Sequence, residues 1–202
     1  MAYVQTLDAA LIETSRSLIG PNAVLQTEAA IRAAGGEALV KRVFAQAGQS
    51  QLLVNRPDSM VDEAVPQALF AALFDSVPRR DGVRIALDAG RRTGDYILKH
   101  RIPLPVRWLL KALPPSVASP MLLKAIARHA WTFAGSGDCT VETGPPARLL
   151  IAENPMRMPL CAWHTGVLEV LFKALVSPRT RVIHRTTRPG EPSVCSFTMT
   201  WS

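Results

Sequence analysis

The spacing of apolar residues changes once along the chain, at the segment FAGSGD (residues 133–138). Before it, from Pro21 onward, apolar residues recur every three or four positions, as they do on one face of an α-helix. After it, apolar and polar residues alternate, as in strands that bury one face of a sheet. The chain is therefore predicted to fold as an α+β domain, with helices first and strands last.

Breaks in the first part divide it into five or six predicted helices. They fall at AGG (34–36), NRPD (55–58), PRRDG (78–82), IPLP (102–105) and LPP (113–115). Two of the helices are amphipathic. The first carries the stripe Val61, Val65, Leu69, Leu73, Val77, and the second carries Val83, Ala86, Leu87, Gly90, Gly94, Ile97.

Two glycines lie on the second stripe, Gly90 and Gly94. Each costs a helix interior about 1 kcal/mol relative to alanine, so another structure must approach the helix closely there. Packing against a second helix is the simpler explanation, and contact with a flat ligand is the other. The two glycines and the neighbouring Arg91 are therefore candidate ligand contacts.

The last third predicts a four-stranded antiparallel sheet with one inserted helix. Strands are expected at 138–143, 147–152, 179–187 and 193–201, and the helix at 164–176. In the final strand, alternate positions share one apolar face: Cys195, Phe197, Met199 and Trp201. This face is predicted to be buried, with Phe197 and Met199 as candidate ligand contacts. Residues 1–18 are expected to be an extension, and 19–202 a single domain.

Composition indicates a rich apolar interior, because 48% of the residues are hydrophobic and only 19% are charged. The net charge of +7 favours an acidic partner. Nucleic acid is not expected, since the basic residues are scattered rather than gathered with interleaved aromatics. No apolar run reaches the ~18 residues needed to span a bilayer, so any membrane contact should be peripheral. Three widely spaced cysteines argue against a disulfide framework and favour the reducing cytoplasm.

The stretch PLCAWHTG (159–166) concentrates a thiol, an indole and an imidazole. Cys161 could act as a nucleophile with His164 as its base, but no orienting group or oxyanion hole is evident. Cys161, His164 and Cys195, with His184 as a fourth ligand, could bind zinc, although no second close pair supports this. In the third interpretation, the stretch forms a strand-to-helix corner where Trp163 and His164 line an apolar pocket.

Two histidines fall on apolar stripes and are predicted to face inward, His129 and His164. A histidine on such a stripe is commonly a hydrogen-bonded core residue, which is the simpler interpretation for His129, and contact with the ligand is the other. His164 differs because it lies at the start of the last helix. There the positive end of the helix dipole disfavours imidazolium, so the ring stays neutral and is able to coordinate a metal.

No motif indicates catalysis or an intrinsic cofactor. The glycine-rich FAGSGD follows a helix and precedes a strand, the reverse of the order that binds phosphate, so it predicts a helix stop. The chain has no GxGxxG after a strand, no Walker sequence and no CxxC pair. The acidic residues are dispersed, so general acid and base catalysis is not predicted.

Several motifs, in order, resemble the 4-vinyl-reductase domain family, especially its members in bacteriochlorophyll biosynthesis. The match runs from about 19 to 201 through IGPNAVLQ (19–26), GRRTGDYIL (90–98), WTFAGSG (131–137), AENP (152–155), CAWHTGVLEVLF (161–172) and CSFTMTW (195–201). The resemblance implies a fold that holds a flat or greasy ligand between helices and an antiparallel sheet. Many relatives carry a further cysteine in the last hairpin, where this chain reads HRTTRPGEP (184–192).

The family's name implies reduction of a vinyl group on a chlorophyll precursor. Hydride delivery needs a nicotinamide or flavin site, however, and the sequence shows neither. We therefore expect a carrier that binds a tetrapyrrole, either a magnesium porphyrin or its metal-free precursor. Its partners would be enzymes of the magnesium branch such as magnesium chelatase. An 8-vinyl reductase with an external electron donor and a module that senses a lipid or small ligand are the alternatives.

Overall fold

The computed structural model describes residues 18–144, 146–186 and 193–201. Helices form the first part and an antiparallel sheet forms the last, which confirms the predicted α+β class. Nearly all of the expected extension 1–18 lies outside the described residues, and so does the hairpin segment 187–192. Within the described residues, no helix is both long enough and apolar enough to cross a membrane.

Within the described residues, six α-helices precede the main sheet, in agreement with the five or six predicted. They are α1 (Asn22–Gln46), α2 (Ala64–Ser76), α3 (Arg79–His100), α4 (Leu104–Ala112), α5 (Pro115–Arg128) and α6 (Trp131–Ala134). The predicted break at residues 34–36 lies inside α1, where Gly36 leaves the helical conformation with φ 68°. Helix α6 ends at Gly135, whose φ of 56° is one that glycine adopts readily, so FAGSGD is the helix stop that was predicted.

One short strand pair was not predicted. Strand β1 (Leu18–Ile19) pairs antiparallel with β2 (Val61–Asp62), and Ile19 lies opposite Val61. Val61 therefore belongs to β2 and not to the helical stripe that begins at Val65. Strands of two residues give too little alternation to be recognised in a sequence.

The main sheet contains β3 (Asp138–Glu142), β4 (Ala147–Ala152), β5 (Arg181–Thr186) and β6 (Val194–Thr200). The spatial order is β3-β4-β6-β5 with every pair antiparallel, and α7 (Ala162–Leu175) is inserted between β4 and β5. Sheet and inserted helix are thus as predicted. Cys195, Phe197 and Met199 are buried on one face of β6, which puts the predicted apolar face in the core.

Helix α7 packs on α3 through glycines. A Cβ atom built on Gly90 would collide with the main chain of Trp163, lying 2.8 Å from its carbonyl carbon. On the opposite helix, a Cβ on Gly166 would lie 2.8 Å from the amide nitrogen of Arg91. Gly94 similarly faces Val170, at 2.8 Å from its Cβ. The absent side chains allow the two backbones to touch, which is the helix-packing explanation of the glycines.

Candidate functional site

The stretch at 159–166 forms the corner that opens α7. Pro159–Cys161 make one 3₁₀ turn, and both Leu160 (φ 61°) and Cys161 (φ 37°) adopt the left-handed conformation. Two consecutive non-glycine residues rarely do so, because each costs of the order of 1 kcal/mol or more. The Thr165 hydroxyl donates to the Leu160 carbonyl at 3.1 Å and holds the turn against the helix. The chain thus enters α7 abruptly, with Trp163 and His164 in its first turn.

A cavity of about 510 Å³ lies between the helices and the sheet beside this corner. Apolar side chains from α3, α5, α7 and β4 form most of its wall, and the turn that begins α1 closes one side. Six residues with rings contribute to the wall: Tyr96, His129, Trp131, Phe133, Trp163 and His164. Arg101 is the one lining residue with a permanent charge, and its side chain has no ion partner within the described residues. Such a cavity suits a flat, mainly apolar ligand with an acidic edge.

His164 is one of the fully buried side chains of the lining, with 2% of its surface exposed. Its Nε2 lies 3.1 Å from the carbonyl oxygen of Phe133 and therefore carries the proton that it donates. Trp163 meets the imidazole edge to face, with ring centres 5.0 Å apart. Burial lowers the pKa of His164 to about 4, helped slightly by His184 and opposed by the bond to Phe133. The ring is neutral, as predicted, but the cause is burial rather than the helix dipole.

Two nitrogen atoms of this wall have no hydrogen-bond partner within the described residues, Nδ1 of His164 and Nε1 of Trp163. A buried polar atom without a partner costs about 1–3 kcal/mol, and native structures contain few of them. Both atoms are buried, so a ligand that reaches them must displace the groups that cover them. Two adjacent residues therefore each carry a buried polar atom without a partner: the acceptor Nδ1 of His164 and the donor Nε1 of Trp163.

Two sulfur atoms lie behind the corner. Cys161 and Cys195 form a disulfide across 34 residues of sequence, contrary to the expectation of three separate thiols. The wide spacing of the cysteines did not predict this bond, because the fold of the sheet places Cys195 of β6 next to Cys161 at the start of α7. A bonded sulfur is neither a nucleophile nor a thiolate ligand, so thiol catalysis by Cys161 is not supported. The free Cys139 is largely buried, which raises its pKa to about 12.

The structure also rearranges the predicted metal candidates. The histidine beside the two sulfurs is His184, and the ligand atoms of these three residues lie within 4.8 Å of one another. His164 is not part of this group. The cavity-lining histidine and the sulfur cluster are therefore separate features, in contrast to the predicted set of Cys161, His164 and Cys195.

Five predicted ligand contacts do not line the cavity. Gly90 and Gly94 are covered by α7, as their packing requires. Arg91 points to the outside of the same helix pair, where its Nη2 lies 2.9 Å from a carboxylate oxygen of Glu169. Phe197 and Met199 lie in the core behind the wall, where the rings of Phe197 and His164 have centres 6.0 Å apart. All five lie outside the lining of this cavity, and ligand contact by them stays a prediction.

His129 does line the cavity, but not from the buried stripe that was predicted. Helix α5 ends at Arg128, so the next residue turns away from the stripe and becomes exposed. Trp163 and His164 lie where they were placed.

Comparison with models of protein families gives no match for this chain. Two relatives match most of its length. The bacteriochlorophyll synthase 23 kDa chain of Cereibacter sphaeroides is 41% identical over 173 residues, 81% of each chain. The chain belongs to the family of bacteriochlorophyll synthase 23 kDa chains. The protein of that name from Rhodobacter capsulatus is 39% identical over 171 residues, covering 81% of this chain and 78% of the relative. These relatives confirm the predicted closeness to proteins of bacteriochlorophyll biosynthesis.

Solved structures of H-NOX proteins share the fold. A structure described as probing heme distortion in the H-NOX family superposes with a TM-score of 0.61 over 91% of this chain and 95% of the other, at 12% identity. A variant H-NOX structure gives a TM-score of 0.54 at 10% identity, with the same coverage. Identities this low establish a common architecture and nothing about the ligand.

Sequence reasoning missed several residues of the wall, among them Tyr96, Arg101, Trp131 and Phe133. Tyr96 and Arg101 lie on a helix end that was interpreted through its glycines alone. Trp131 and Phe133 belong to the motif WTFAGSG, whose glycines predict a helix stop but whose aromatic side chains were given no role. A concentration of aromatic side chains at the junction of helices and sheet was the available signal.

The buried His164 predicts a loss of stability in acid. Its pKa is about 4 when folded and 6.5 when exposed, so between these values the unfolded chain binds more protons. Stability from this group is complete above the unfolded pKa and is lost as the pH falls toward 4. We expect the free energy of unfolding to fall by about 2 kcal/mol from about pH 7 to about pH 5.

Urea denaturation across this pH range measures the effect. His164→Gln should flatten the slope, because glutamine does not ionise. Burial also lowers the pKa of His184, so a smaller slope in the same direction should remain. His129→Gln, at an exposed histidine, is the matched control. An unchanged slope in His164→Gln would show that the ring is not the group responsible.

Proposed function

We propose that this protein acts in bacteriochlorophyll biosynthesis by binding a tetrapyrrole intermediate and passing it between enzymes. The observation that carries the proposal is the cavity, in which six ring-bearing residues and one arginine surround about 510 Å³ of mainly apolar space. Membership of the bacteriochlorophyll synthase 23 kDa chain family gives the pathway. The receiving enzymes would be those of the magnesium branch, such as magnesium chelatase.

The lining matches the chemistry of a porphyrin in three respects. Aromatic side chains provide flat contacts for a flat ring, and the volume lies within the roughly 300–1,000 Å³ of ligand sites. The Arg101 guanidinium is free of ion partners among the described residues, so it is available to a propionate carboxylate. Burying roughly 400 Å² of apolar surface contributes about 10 kcal/mol before association costs of about 4–15 kcal/mol. Affinity should therefore be moderate, as a carrier requires.

His164 is our candidate for the residue that distinguishes a magnesium porphyrin from the metal-free ring. Histidines that ligate metals commonly donate their other ring N–H to a carbonyl, as Nε2 does here to Phe133. The unpartnered Nδ1 then retains a lone pair. To reach the metal, this atom must be uncovered, so binding should be accompanied by movement of the side chains around it.

Fluorescence titration tests the proposal, because Trp131 and Trp163 line the cavity and a bound porphyrin should quench them. We expect both protoporphyrin and its magnesium form to bind the wild-type chain. His164→Ala should weaken binding of the magnesium form by about tenfold, which corresponds to about 1.4 kcal/mol. Binding of the metal-free ring should stay nearly unchanged. His129→Ala is the matched control for a histidine at the exposed rim.

Each other outcome has a definite meaning. If His164→Ala weakens binding of both porphyrins equally, the histidine contributes to the shape of the cavity and does not ligate the metal. Absence of quenching by either porphyrin would refute the carrier function. Loss of a substrate vinyl group on addition of NADPH to the purified chain alone would establish the reductase alternative in its place.

A further inference from the structure

Helix α4 exposes its apolar side chains. Leu110 is the one residue of its nine that is buried. Trp108 is 74% exposed, Leu104 60% and Leu109 52%. At about 100° per residue, Trp108 lies about 40° and Leu109 about 140° from Leu104 around the helix axis. The three positions therefore fall within one half of the helix surface. The helix thus presents to solvent the face that helices usually bury.

Further exposed apolar side chains follow α4 in the chain. Val117 and Met121 of α5 and Trp131 of α6 are each more than two-fifths exposed. Seven of the ten exposed large apolar side chains in the described residues fall between 104 and 131. Exposed apolar residues scattered singly are ordinary, whereas a concentration of them marks a surface that something covers.

The same segment lacks acidic residues altogether. Between Tyr96 and Gly137 the sequence contains no Asp or Glu but six basic residues: Lys99, Arg101, Arg107, Lys111, Lys124 and Arg128. Nearly all of the chain's net charge of +7 can therefore be assigned to about a fifth of its length. An apolar face flanked by basic side chains is complementary to a surface that is negative outside and apolar beneath.

We propose that α4 docks this protein onto an anionic phospholipid bilayer, with Trp108 and Leu104 inserted at the level of the headgroups. Tryptophan favours the membrane interface, and basic residues near a helix bind acidic headgroups. Nine residues span only about 14 Å, roughly half of a bilayer's hydrocarbon core, so the helix must lie in the plane of the interface. Pro103 and Pro114, which precede α4 and α5, limit its length.

The docking surface adjoins the cavity. Arg101 and Ile102, immediately before α4, line it, and so does Trp131. A bilayer held against α4 would lie close to this side of the cavity. The inference goes beyond the proposed carrier function and does not depend on it, because the ligand-free chain is sufficient to bind lipid.

Co-sedimentation with vesicles tests the docking. We expect the full chain to bind vesicles of mixed phosphatidylglycerol and phosphatidylcholine, to bind pure phosphatidylcholine weakly, and to be released from the mixed vesicles by high salt. Lys111→Gln should weaken binding about fivefold, the effect of one basic residue near an acidic surface. Trp108→Ala should weaken it by about tenfold.

Val54→Ser is the matched control, because Val54 is 83% exposed and lies outside the segment. It should bind vesicles as the wild type does. Brominated phospholipid should quench the wild-type fluorescence, and Trp108→Phe should lose most of this quenching while still binding. Circular dichroism checks that each variant is folded.

Two results would overturn the inference. One is equal binding of the wild type and folded Trp108→Ala to anionic vesicles. The other is a lack of binding to anionic vesicles by the folded wild type. If Trp108→Ala also abolishes self-association of the chain, the surface is instead an interface between two copies. A failure of vesicle binding would leave the porphyrin titration unaffected, so the two proposals are separable.

Discussion

Gly90→Ala is expected to destabilise the protein by at least about 3 kcal/mol, although alanine normally stabilises a helix by about 1 kcal/mol relative to glycine. The added methyl group would meet the main chain of Trp163, with the carbonyl carbon at 2.8 Å. A backbone cannot change rotamer to make room, so α3 and α7 would have to separate. The midpoint of chemical or thermal denaturation measures the loss, and unfolding during expression would be its extreme form.

Gly144→Ala is the matched control, since a Cβ atom there would meet nothing within 4 Å. It should leave stability within about 0.5 kcal/mol of the wild type. If Gly90→Ala were as stable as this control, the backbone contact between α3 and α7 at Gly90 would be contradicted.

Reduction of the bond between Cys161 and Cys195 is expected to lower the free energy of unfolding by about 3–4 kcal/mol. A cross-link over 34 residues restricts the unfolded chain, and its loss restores that freedom. In the native state both cysteines are fully buried, so reductant should act slowly until the chain is partly unfolded. Urea denaturation with and without reductant gives the difference.

The double variant Cys161→Ala Cys195→Ala supplies the control, because its stability should not respond to reductant. A thiol count on the denatured, unreduced wild type should give one free thiol, that of Cys139. Three free thiols in freshly purified protein, with stability insensitive to reductant, would show that the two sulfurs are adjacent but unbonded.

The class of fold was predictable because its signal extends over many residues. Alternation along β6 and the four-residue spacing of α2 each involve several positions, so one exception does not hide them. Strand pairs of two residues, such as Leu18–Ile19 with Val61–Asp62, offer no such redundancy and were missed. The disulfide was missed for a different reason, because it depends on how the sheet brings distant segments together.

The site was predictable only in part. His164 and Trp163 could be found because polar and aromatic groups stand at a helix start, where neighbouring elements converge. Gly90 and Arg91 could not be placed, since a glycine signals close approach without saying what approaches. His129 required the exact end of α5, and helix ends are the least certain feature of a sequence-based prediction.

The contact between α3 and α7 has a consequence for the dimensions of the cavity. At Gly90 and Gly166 the two helices touch through main-chain atoms, and both helices also contribute side chains to the wall. The distance between the axes of α3 and α7 in this part of the wall is therefore set by contact between their backbones. It does not depend on side-chain rotamers. Substitutions among the lining side chains should change the shape of the cavity while the separation of α3 and α7 stays the same.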